Sequence, residues 1–320
     1  MAEFHLDFEK PIVKLDDKIE TLRSKSLTGK QDFSGEISQL NEERQTLIKE
    51  IYSNLTRWQR VQLARHPRRP YSLDYIIRMS PDFLELHGDR HFSDDKSLVA
   101  GIGTIDGIHI TYIGQQKGKN TKENLYRNFG MSKPEGYRKA LRIMKMSAKY
   151  NRPVVCLLDT PGAYPGLGAE ERGQAEAIAR NLLEMTVLPV PILIIVIGEG
   201  ASGGALGVGI GDRLLMLENT WFSVISPEGC ASILWRDAGK AEEAAEALKV
   251  TASDLKELEI CDRIIEEPLG GAHRNKDEVV QTVKNIIVEE LQLLSQFTTE
   301  ELIDIRHKKY ERIGHWQEVS

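Results

Sequence analysis

Four glycines follow an apolar run within seven residues, and these residue types in this order suit the stabilisation of negative charge. Residues 192–197 are all aliphatic, which predicts a strand buried on both faces of a parallel sheet. Gly198, Gly200, Gly203 and Gly204 come next. Glycines this dense after a buried strand indicate a sharp turn into a helix with free N–H groups at its start. Such a turn can bind a resting anion or an oxyanion that forms during a reaction.

The same segment fits three functional patterns and one purely structural explanation. Residues 198–203 match G-x-G-x-x-G, a dinucleotide-binding pattern. Residues 200–204 match G-x-S-x-G, in which Ser202 would be a hydrolase nucleophile. In the third interpretation the amides of Gly203 and Gly204 form an oxyanion hole. The glycines could equally serve only to let a helix pack close to a strand, so this segment alone does not decide between them.

A second strand and glycine turn occur earlier in the chain. Residues 153–158 form another apolar run, and 159–166 read DTPGAYPG. Helical periodicity follows over 169–188, and further apolar runs lie at 213–217 and 221–225. Alternating strands and helices predict an α/β fold with a largely parallel sheet.

The remaining segments are predicted to be mostly helical. Apolar residues repeat at helical spacing within 12–22 and 37–55, and Ser202 is a candidate N-cap for the helix after the glycines. Asp106-Gly107 marks the turn of a hairpin. Further helices are expected at 135–150, 230–235, 238–248, 253–259, 277–297 and 299–313.

The composition excludes several classes of protein. The 320 residues are 41% hydrophobic and 28% charged, and no apolar run is long enough to span a membrane. The first ten residues do not resemble a secretory signal, so a cytoplasmic location is expected. A formal net charge of −6 argues against general nucleic-acid binding. Cys156, Cys230 and Cys261 are widely spaced, which predicts buried thiols and offers no C-x-x-C pair for zinc.

Seven sequence blocks, taken together and in order, resemble the α subunit of the carboxyltransferase of bacterial acetyl-CoA carboxylase. They cover nearly the whole chain. One departure from the family pattern is Ala201, which stands where a glycine is expected; its methyl group is small and leaves Gly203 and Gly204 unchanged. The blocks are GQQKG (114–118), TKENLYRNFGM (121–131), PEGYRKALR (134–142), DTPGAYPGLGAEERGQ (159–174), GEGASGGA (198–205), VISPEGCASILW (224–235) and EPLGGAHR (267–274).

The resemblance implies a crotonase-like α/β fold, a spiral of β-β-α units. It implies a helical N-terminal region over 1–70, a carboxyltransferase domain over 71–298 and a helical C-terminal tail over 299–320. It also implies a transferase that is active only in a complex, an α2β2 assembly with a zinc-bearing β subunit. This chain itself would hold no metal.

The implied reaction moves a carboxyl group from carboxybiotin to acetyl-CoA and gives malonyl-CoA, the first committed step of fatty acid synthesis. Biotin would arrive on a biotin carboxyl carrier protein and would not be attached to this chain. Biotin carboxylase would be a further partner. In related carboxyltransferases the α-type half holds biotin and the β-type half holds the acyl-CoA.

Such a site should be poor in side-chain catalysts. Backbone amides can stabilise charge on the ureido oxygen of biotin without titrating, and one such donor lowers a barrier by ~3–4 kcal/mol. On this resemblance the amides of Gly203 and Gly204 are expected to be the catalytic donors, with Gly162 and Ala163 as a second pair. The biotin pocket is expected to include Gly200, Ser202, Tyr164 and Pro165. Three basic residues could contact CoA phosphates or the carrier: Lys117, Lys119 and Arg127.

A crotonase-fold serine hydrolase that uses Ser202 is the alternative function. It would need histidine and acidic partners, and His273, the nearest later histidine, has no acid at a telling spacing.

Overall fold

A mixed β-sheet lies at the centre of the fold. The structure is a computed structural model that describes residues 4–28 and 32–314; parts of the predicted helix connector and of the C-terminal tail lie outside these ranges. Within the described residues the sheet has eight strands in the order β1-β2-β3-β4-β5-β6-β8, with β7 paired to β5 off this path. The strands are β1 (Leu84–Glu85), β2 (Leu98–Ile105), β3 (Ile108–Gln115), β4 (Val154–Thr160), β5 (Ile192–Ala201), β6 (Arg213–Leu217), β7 (Trp221–Ser223) and β8 (Arg263–Ile265).

The sheet is antiparallel from β1 to β3 and parallel from β3 onwards. This confirms the predicted α/β fold with a largely parallel sheet. Every residue of β4 and β5 is buried, which explains the apolar runs at 154–158 and 192–197 with which these strands begin. Neighbouring residues of β4 point to opposite faces: Cys156 packs in the core on one face and Leu157 in the core on the other. All three cysteines are buried and free, as predicted.

Helices cover both faces of the sheet, and one predicted helix is interrupted. The single helix expected over 169–188 is wrong, because Gly173 adopts φ +80° and separates α7 from α8. No helix in the described part of the chain is long and apolar enough to cross a membrane. The helices are α1 (Lys10–Thr28), α2 (Ser34–Ser53), α3 (Arg57–Ala64), α4 (Ser72–Met79), α5 (Thr121–Tyr126), α6 (Pro134–Lys149), α7 (Leu167–Glu171), α8 (Gln174–Thr186), α9 (Ser202–Leu206), α10 (Pro227–Leu234), α11 (Ala241–Leu248), α12 (Ala252–Glu257), α13 (Lys276–Leu294) and α14 (Thr299–Glu311), with short 3-10 helices at Asp7–Glu9, Asn128–Gly130 and Ala238–Lys240.

The C-terminal helix is anchored to the sheet by a buried arginine. Arg306 of α14 is fully buried, and its Nε lies 2.8 Å from Oδ1 of Asp212, the residue before β6. Its Nη1 atom also donates to the carbonyls of Met185 and Leu188 at 2.8 Å. These bonds satisfy the buried guanidinium, so α14 is packed against the same body as the sheet.

Two stacked histidines attach the N-terminal helical region to the segment before α13. The rings of His66 and His273 lie 3.8 Å apart between centroids at an angle of 17°, and Phe4 meets His66 edge-on. A buried glutamate, Glu9, accepts a hydrogen bond from Tyr52 at 2.6 Å and pairs with Arg274 at 2.8 Å in the same region. Burial lowers the pKa of His66 to about 4 and that of His273 to about 2.

The low pKa values of these histidines predict that the protein becomes less stable at mildly acidic pH. Between pH ~6.5 and ~4 the unfolded chain binds protons that folded His66 excludes, so the free energy of unfolding should fall as the pH falls. The pKa shift of His66 alone is expected to lower the free energy of unfolding by about 3 kcal/mol between these two pH values. Urea unfolding of His66→Gln at several pH values should show a shallower pH dependence than wild type. His109→Gln, at an exposed position, should behave as wild type; equal slopes in all three proteins would contradict the prediction.

Candidate active site

The two glycine turns meet at the carboxyl ends of β4 and β5. Because these parallel strands are neighbours, the turns that follow them lie at the same edge of the sheet. A β-carbon at Gly204 would lie 2.3 Å from the carbonyl carbon of Gly162 and 2.4 Å from the nitrogen of Ala163. Only glycine allows so close an approach of two backbones. The structure therefore brings the predicted residues Gly203, Gly204, Gly162 and Ala163 together.

The four amides at this junction differ in their surroundings. Gly203 and Gly204 belong to the first turn of α9, whose N–H groups have no helical carbonyl four residues earlier to donate to. Gly203 and Ala163 are partly exposed, whereas Gly204 and Gly162 are buried. The Gly162 amide already donates to Oγ1 of Thr160 at 3.1 Å, while no hydrogen bond from the Ala163 amide occurs within the described residues. Ala163 is thus the better placed donor of the second pair.

Ser202 lies on the sharp turn between β5 and α9. Its φ of +59° falls in the left-handed region, a feature it shares with the strained nucleophile elbow of hydrolases. The N-cap prediction for Ser202 is wrong, because the helix begins at Ser202 and Ala201 occupies the N-cap position. In the part of the chain that the structure describes, no hydrogen bond joins Ser202 to a histidine, and His66 and His273 stack on each other. The residues that the structure describes therefore form no Ser-His-acid triad with Ser202.

The other two glycines of the segment make room for side chains. A β-carbon at Gly198 would lie 2.3 Å from Oδ1 of Asp159, and one at Gly200 would lie 2.5 Å from the Phe222 ring. The structural explanation of the glycines thus holds for Gly198 and Gly200. The same explanation does not account for two turns that bring their backbone amides together.

A buried network of alternating charges supports both turns. Nζ of Lys117 lies 2.7 Å from Oδ1 of Asp159 and 2.7 Å from Oε1 of Glu199. Nε of Arg65 lies 2.7 Å from Oε2 of Glu199. Burial opposes the charged form of each group, yet the two carboxylates raise the pKa of Lys117, and the two cations lower the pKa of Glu199. Arg65 also pairs with the partly exposed Glu228, so two cations face three carboxylates in this network.

Sequence patterns missed two members of this network, Asp159 and Glu199. Asp159 and Glu199 stand near the ends of strands that are otherwise apolar, and a charge in such a place is the signal that could have found them. The predicted role of Lys117 in contacting CoA phosphates or the carrier is not favoured, because its ammonium group is engaged inside the chain. Lys119 is exposed and pairs with Asp74 at 2.6 Å, and Arg127 donates to the carbonyl of Lys96 at 2.7 Å.

An apolar cavity of about 390 Å³ lies beside the turn after β5. Ser202 and Leu206 line one side of it, and Phe222, Val224 and Leu258 contribute apolar walls. A cavity of about 420 Å³ lies at the opposite edge of the sheet, where it is lined by residues that precede β4 and β5, far from the turns. The smaller cavity is therefore the one that belongs to the site.

The predicted pocket residues are distributed between the two turns. Ser202 lines the cavity, whereas Gly200 is enclosed within β5. Tyr164 lies in the turn after β4 with the Lys133 ammonium 5.0 Å from its ring centroid, and Pro165 beside it is exposed. Among the described residues no group of three or more His, Cys, Asp or Glu side chains is placed to hold a metal ion.

Comparison with known proteins identifies relatives that span the whole chain. Residues 5–314 match the family described as acetyl co-enzyme A carboxylase carboxyltransferase-like. The chain is 57% identical over 315 residues to the acetyl-coenzyme A carboxylase carboxyl transferase subunit alpha of Halalkalibacterium halodurans, covering 98% of this chain and 97% of that protein.

Two groups of solved structures share the fold at low sequence identity. A Pseudomonas malonate decarboxylase hetero-tetramer in complex with coenzyme A superimposes with a TM-score of 0.56 at 16% identity, covering 69% of this chain and 86% of that chain. Transcarboxylase 12S does so with a TM-score of 0.53 at 19% identity, covering 67% and 41%. These similarities confirm the predicted crotonase-like fold.

Proposed function

This chain belongs to the acetyl co-enzyme A carboxylase carboxyltransferase-like family as an α subunit, and we propose that it supplies the carboxybiotin half of a shared active site. The partner in this proposal is a zinc-bearing β subunit in an α2β2 assembly. A biotin carboxyl carrier protein, served by biotin carboxylase, brings the carboxyl group, and acetyl-CoA accepts it to give malonyl-CoA. The observation that carries the proposal is the contact between the two glycine turns, which collects backbone amides at one edge of the sheet.

The cavity beside Ser202 suits the ring system of biotin. Its walls are mainly apolar, which suits the thioether ring of biotin, and the polar backbone of the turn lies at one side of it, where it suits the ureido ring. Ser202 is a cavity-lining residue in this proposal, and Tyr164 and Pro165 border the site from the other turn. Gly200 contributes indirectly, since its lack of a side chain lets Phe222 reach the cavity wall.

The catalytic contribution of this chain is electrostatic. Carboxybiotin supplies the carboxyl group, and negative charge develops on its ureido oxygen as that group leaves. The amides of Gly203 and Gly204, with Ala163 as a third donor, stabilise this charge in the proposal. Backbone amides keep the same charge at every physiological pH, and donors held by a rigid turn need no reorganisation when the charge appears.

The buried charge network favours the same chemistry. An unpaired carboxylate close to the turns would oppose the formation of a second negative charge. Lys117 pairs with both Asp159 and Glu199, and Arg65 pairs with Glu199, so neither buried carboxylate next to the turns lacks a cation. In this proposal the role of the network is to position the turns and to offset the charge of these two carboxylates.

Reconstitution tests the proposal. The purified chain, the purified β partner and their mixture are each assayed for malonyl-CoA formation from carboxybiotin on its carrier and acetyl-CoA. Because this chain holds one half of the site, transfer is expected only in the mixture. Malonyl-CoA formation by this chain alone at the rate of the mixture would overturn the half-site proposal.

Substitution of Ser202 separates transfer from hydrolysis. The Ser202→Ala complex is expected to keep transfer within about threefold of wild type, whereas loss of a nucleophile typically costs ~10⁶-fold. The left-handed backbone is equally strained with either residue, and no cap hydrogen bond is lost, so stability should also change little. Covalent labelling of Ser202 by a fluorophosphonate, absent in the alanine variant, would contradict the transferase mechanism.

A further inference from the structure

Gln115, the last residue of β3, makes hydrogen bonds to the backbone at the end of β4 and in the turn after β5. It is fully buried. Its Nε2 donates to the carbonyl of Gly204 at 2.7 Å, and its Oε1 accepts from the backbone N–H of Asp159 at 3.2 Å. One amide side chain thus connects the end of β4, just before its glycine turn, with the turn after β5.

The two backbone groups that Gln115 binds are not paired by regular secondary structure. Helix α9 ends at Leu206, so Gly204 has no helical residue four positions ahead to donate to its carbonyl. The pairing of β4 with β5 shifts register between Leu158 and Thr160, which leaves Asp159 at the irregularity. Unpaired buried backbone groups are costly, and the Gln115 side chain satisfies one at the end of β4 and one in the turn after β5.

We propose that Gln115 is a positioning residue that sets the distance and orientation of the two turns and thereby the placement of their amides. This inference rests on the proposed function. It assigns the alignment of the proposed amide donors to the side chain of Gln115. A carboxamide fits the task because it offers a donor and an acceptor at once. The hydroxyl of Tyr137 donates to the same Gly204 carbonyl at 3.2 Å. Tyr137 therefore supports only the Gly204 end of the link.

The neighbouring Gln116 provides a matched control. It is nearly as buried as Gln115, and its Oε1 accepts from the Leu73 amide at 2.9 Å while its Nε2 donates to the Lys117 carbonyl at 2.7 Å. Neither bond reaches a glycine turn. Gln116→Met should therefore reduce stability as much as Gln115→Met, without the same effect on catalysis.

The first experiment compares Gln115→Met and Gln116→Met in the complex reconstituted with the β partner. Gln115→Met is expected to reduce kcat for carboxyl transfer by about 10²-fold with little change in the KM for acetyl-CoA, because donors displaced by a fraction of an ångström lose alignment. Gln116→Met is expected to stay within about threefold of the wild-type kcat. Equal kcat values for the two variants would overturn the inference.

A second variant decides the matter if Gln115→Met does not fold. In Gln115→Glu the new carboxyl group can accept from the Asp159 amide in either form but can donate to Gly204 only when protonated. Burial raises the pKa of such a carboxyl group, so its kcat relative to wild type should rise as the pH falls. Titratable groups also surround its partners: Tyr137 donates to the same Gly204 carbonyl, and the Asp159 side chain pairs with Lys117, which pairs with Glu199. The wild-type protein contains the same groups, so the ratio to wild type corrects for their titration.

The outcomes distinguish this inference from the function on which it rests. A pH-independent ratio for Gln115→Glu contradicts the positioning role while wild-type transfer stands. Absence of transfer by the wild-type complex contradicts the proposed function itself.

Discussion

Replacing Gly204 by alanine is expected to reduce carboxyl transfer by the assembled complex about 10²-fold or more. The added β-carbon would lie 2.3 Å from the carbonyl carbon of Gly162 and 2.4 Å from the nitrogen of Ala163, so the two backbones must separate. Separation moves the Gly204 amide, and loss of one such donor costs about 10²–10³-fold in rate. Malonyl-CoA formation by purified complexes measures the effect, and analytical ultracentrifugation checks that assembly is retained.

Two other glycines show whether the effect is specific to the junction. A β-carbon at Gly203 meets only the Ile178 side chain, at 3.5 Å, so Gly203→Ala should lose much less activity than Gly204→Ala. Gly35→Ala in α2 has no atom within 4 Å of the new carbon and should match wild type. Gly207→Ala is a poor control, because its β-carbon would lie 2.6 Å from the Tyr137 ring. A Gly204→Ala complex with wild-type transfer would show that the close contact has no role in catalysis.

Replacing Lys117 by methionine is expected to lower the free energy of unfolding of this chain by about 3–5 kcal/mol. Methionine fills a similar volume but removes the ion-pair partner of the buried Asp159 carboxylate and leaves Glu199 paired with Arg65 alone. Removal of one partner from a buried ion pair costs this much because the remaining charge is uncompensated. Urea denaturation of the isolated chain measures the change.

Lys119→Met provides the comparison on the same loop. The side chain of Lys119 is 53% exposed, and its ion pair with Asp74 is expected to contribute at most about 1 kcal/mol. Lys117→Met should also reduce transfer in the complex, because the uncompensated carboxylates oppose the charge that develops near the turns. Equal stability of the two methionine variants would contradict the proposed role of the network.

Local sequence patterns were sufficient to predict the strands and turns that form the site. The aliphatic runs of β4 and β5 and the glycines after them are local features, and parallel neighbours necessarily bring their carboxyl ends together. The break at Gly173 within 169–188 was not predicted, because the apolar residues on both sides of this glycine repeat at helical spacing. Ser202 was predicted to be an N-cap from its residue type. Residue type alone does not show that Ser202 is already the first residue of the helix and that Ala201 occupies the N-cap position.

Long-range side-chain contacts could not be predicted in the same way. Gln115 reaches partners 89 and 44 residues away, and Lys117 reaches carboxylates 42 and 82 residues away. Such pairs depend on the register between strands and on rotamers inside the core, and a single sequence does not display either. For the same reason Lys117 looked like a surface cation that was available to a ligand.

The most direct test of the central claim removes the amide N–H groups without adding any atom. Glycolic acid introduced at position 203 or 204 replaces the amide by an ester, which keeps the chain shape and deletes one donor. Each ester is expected to lower transfer by the assembled complex about 10²–10³-fold, with little change in the KM for acetyl-CoA. Esters at both positions that assemble normally and transfer at the wild-type rate would show that these amides do not stabilise the charge that develops in the reaction.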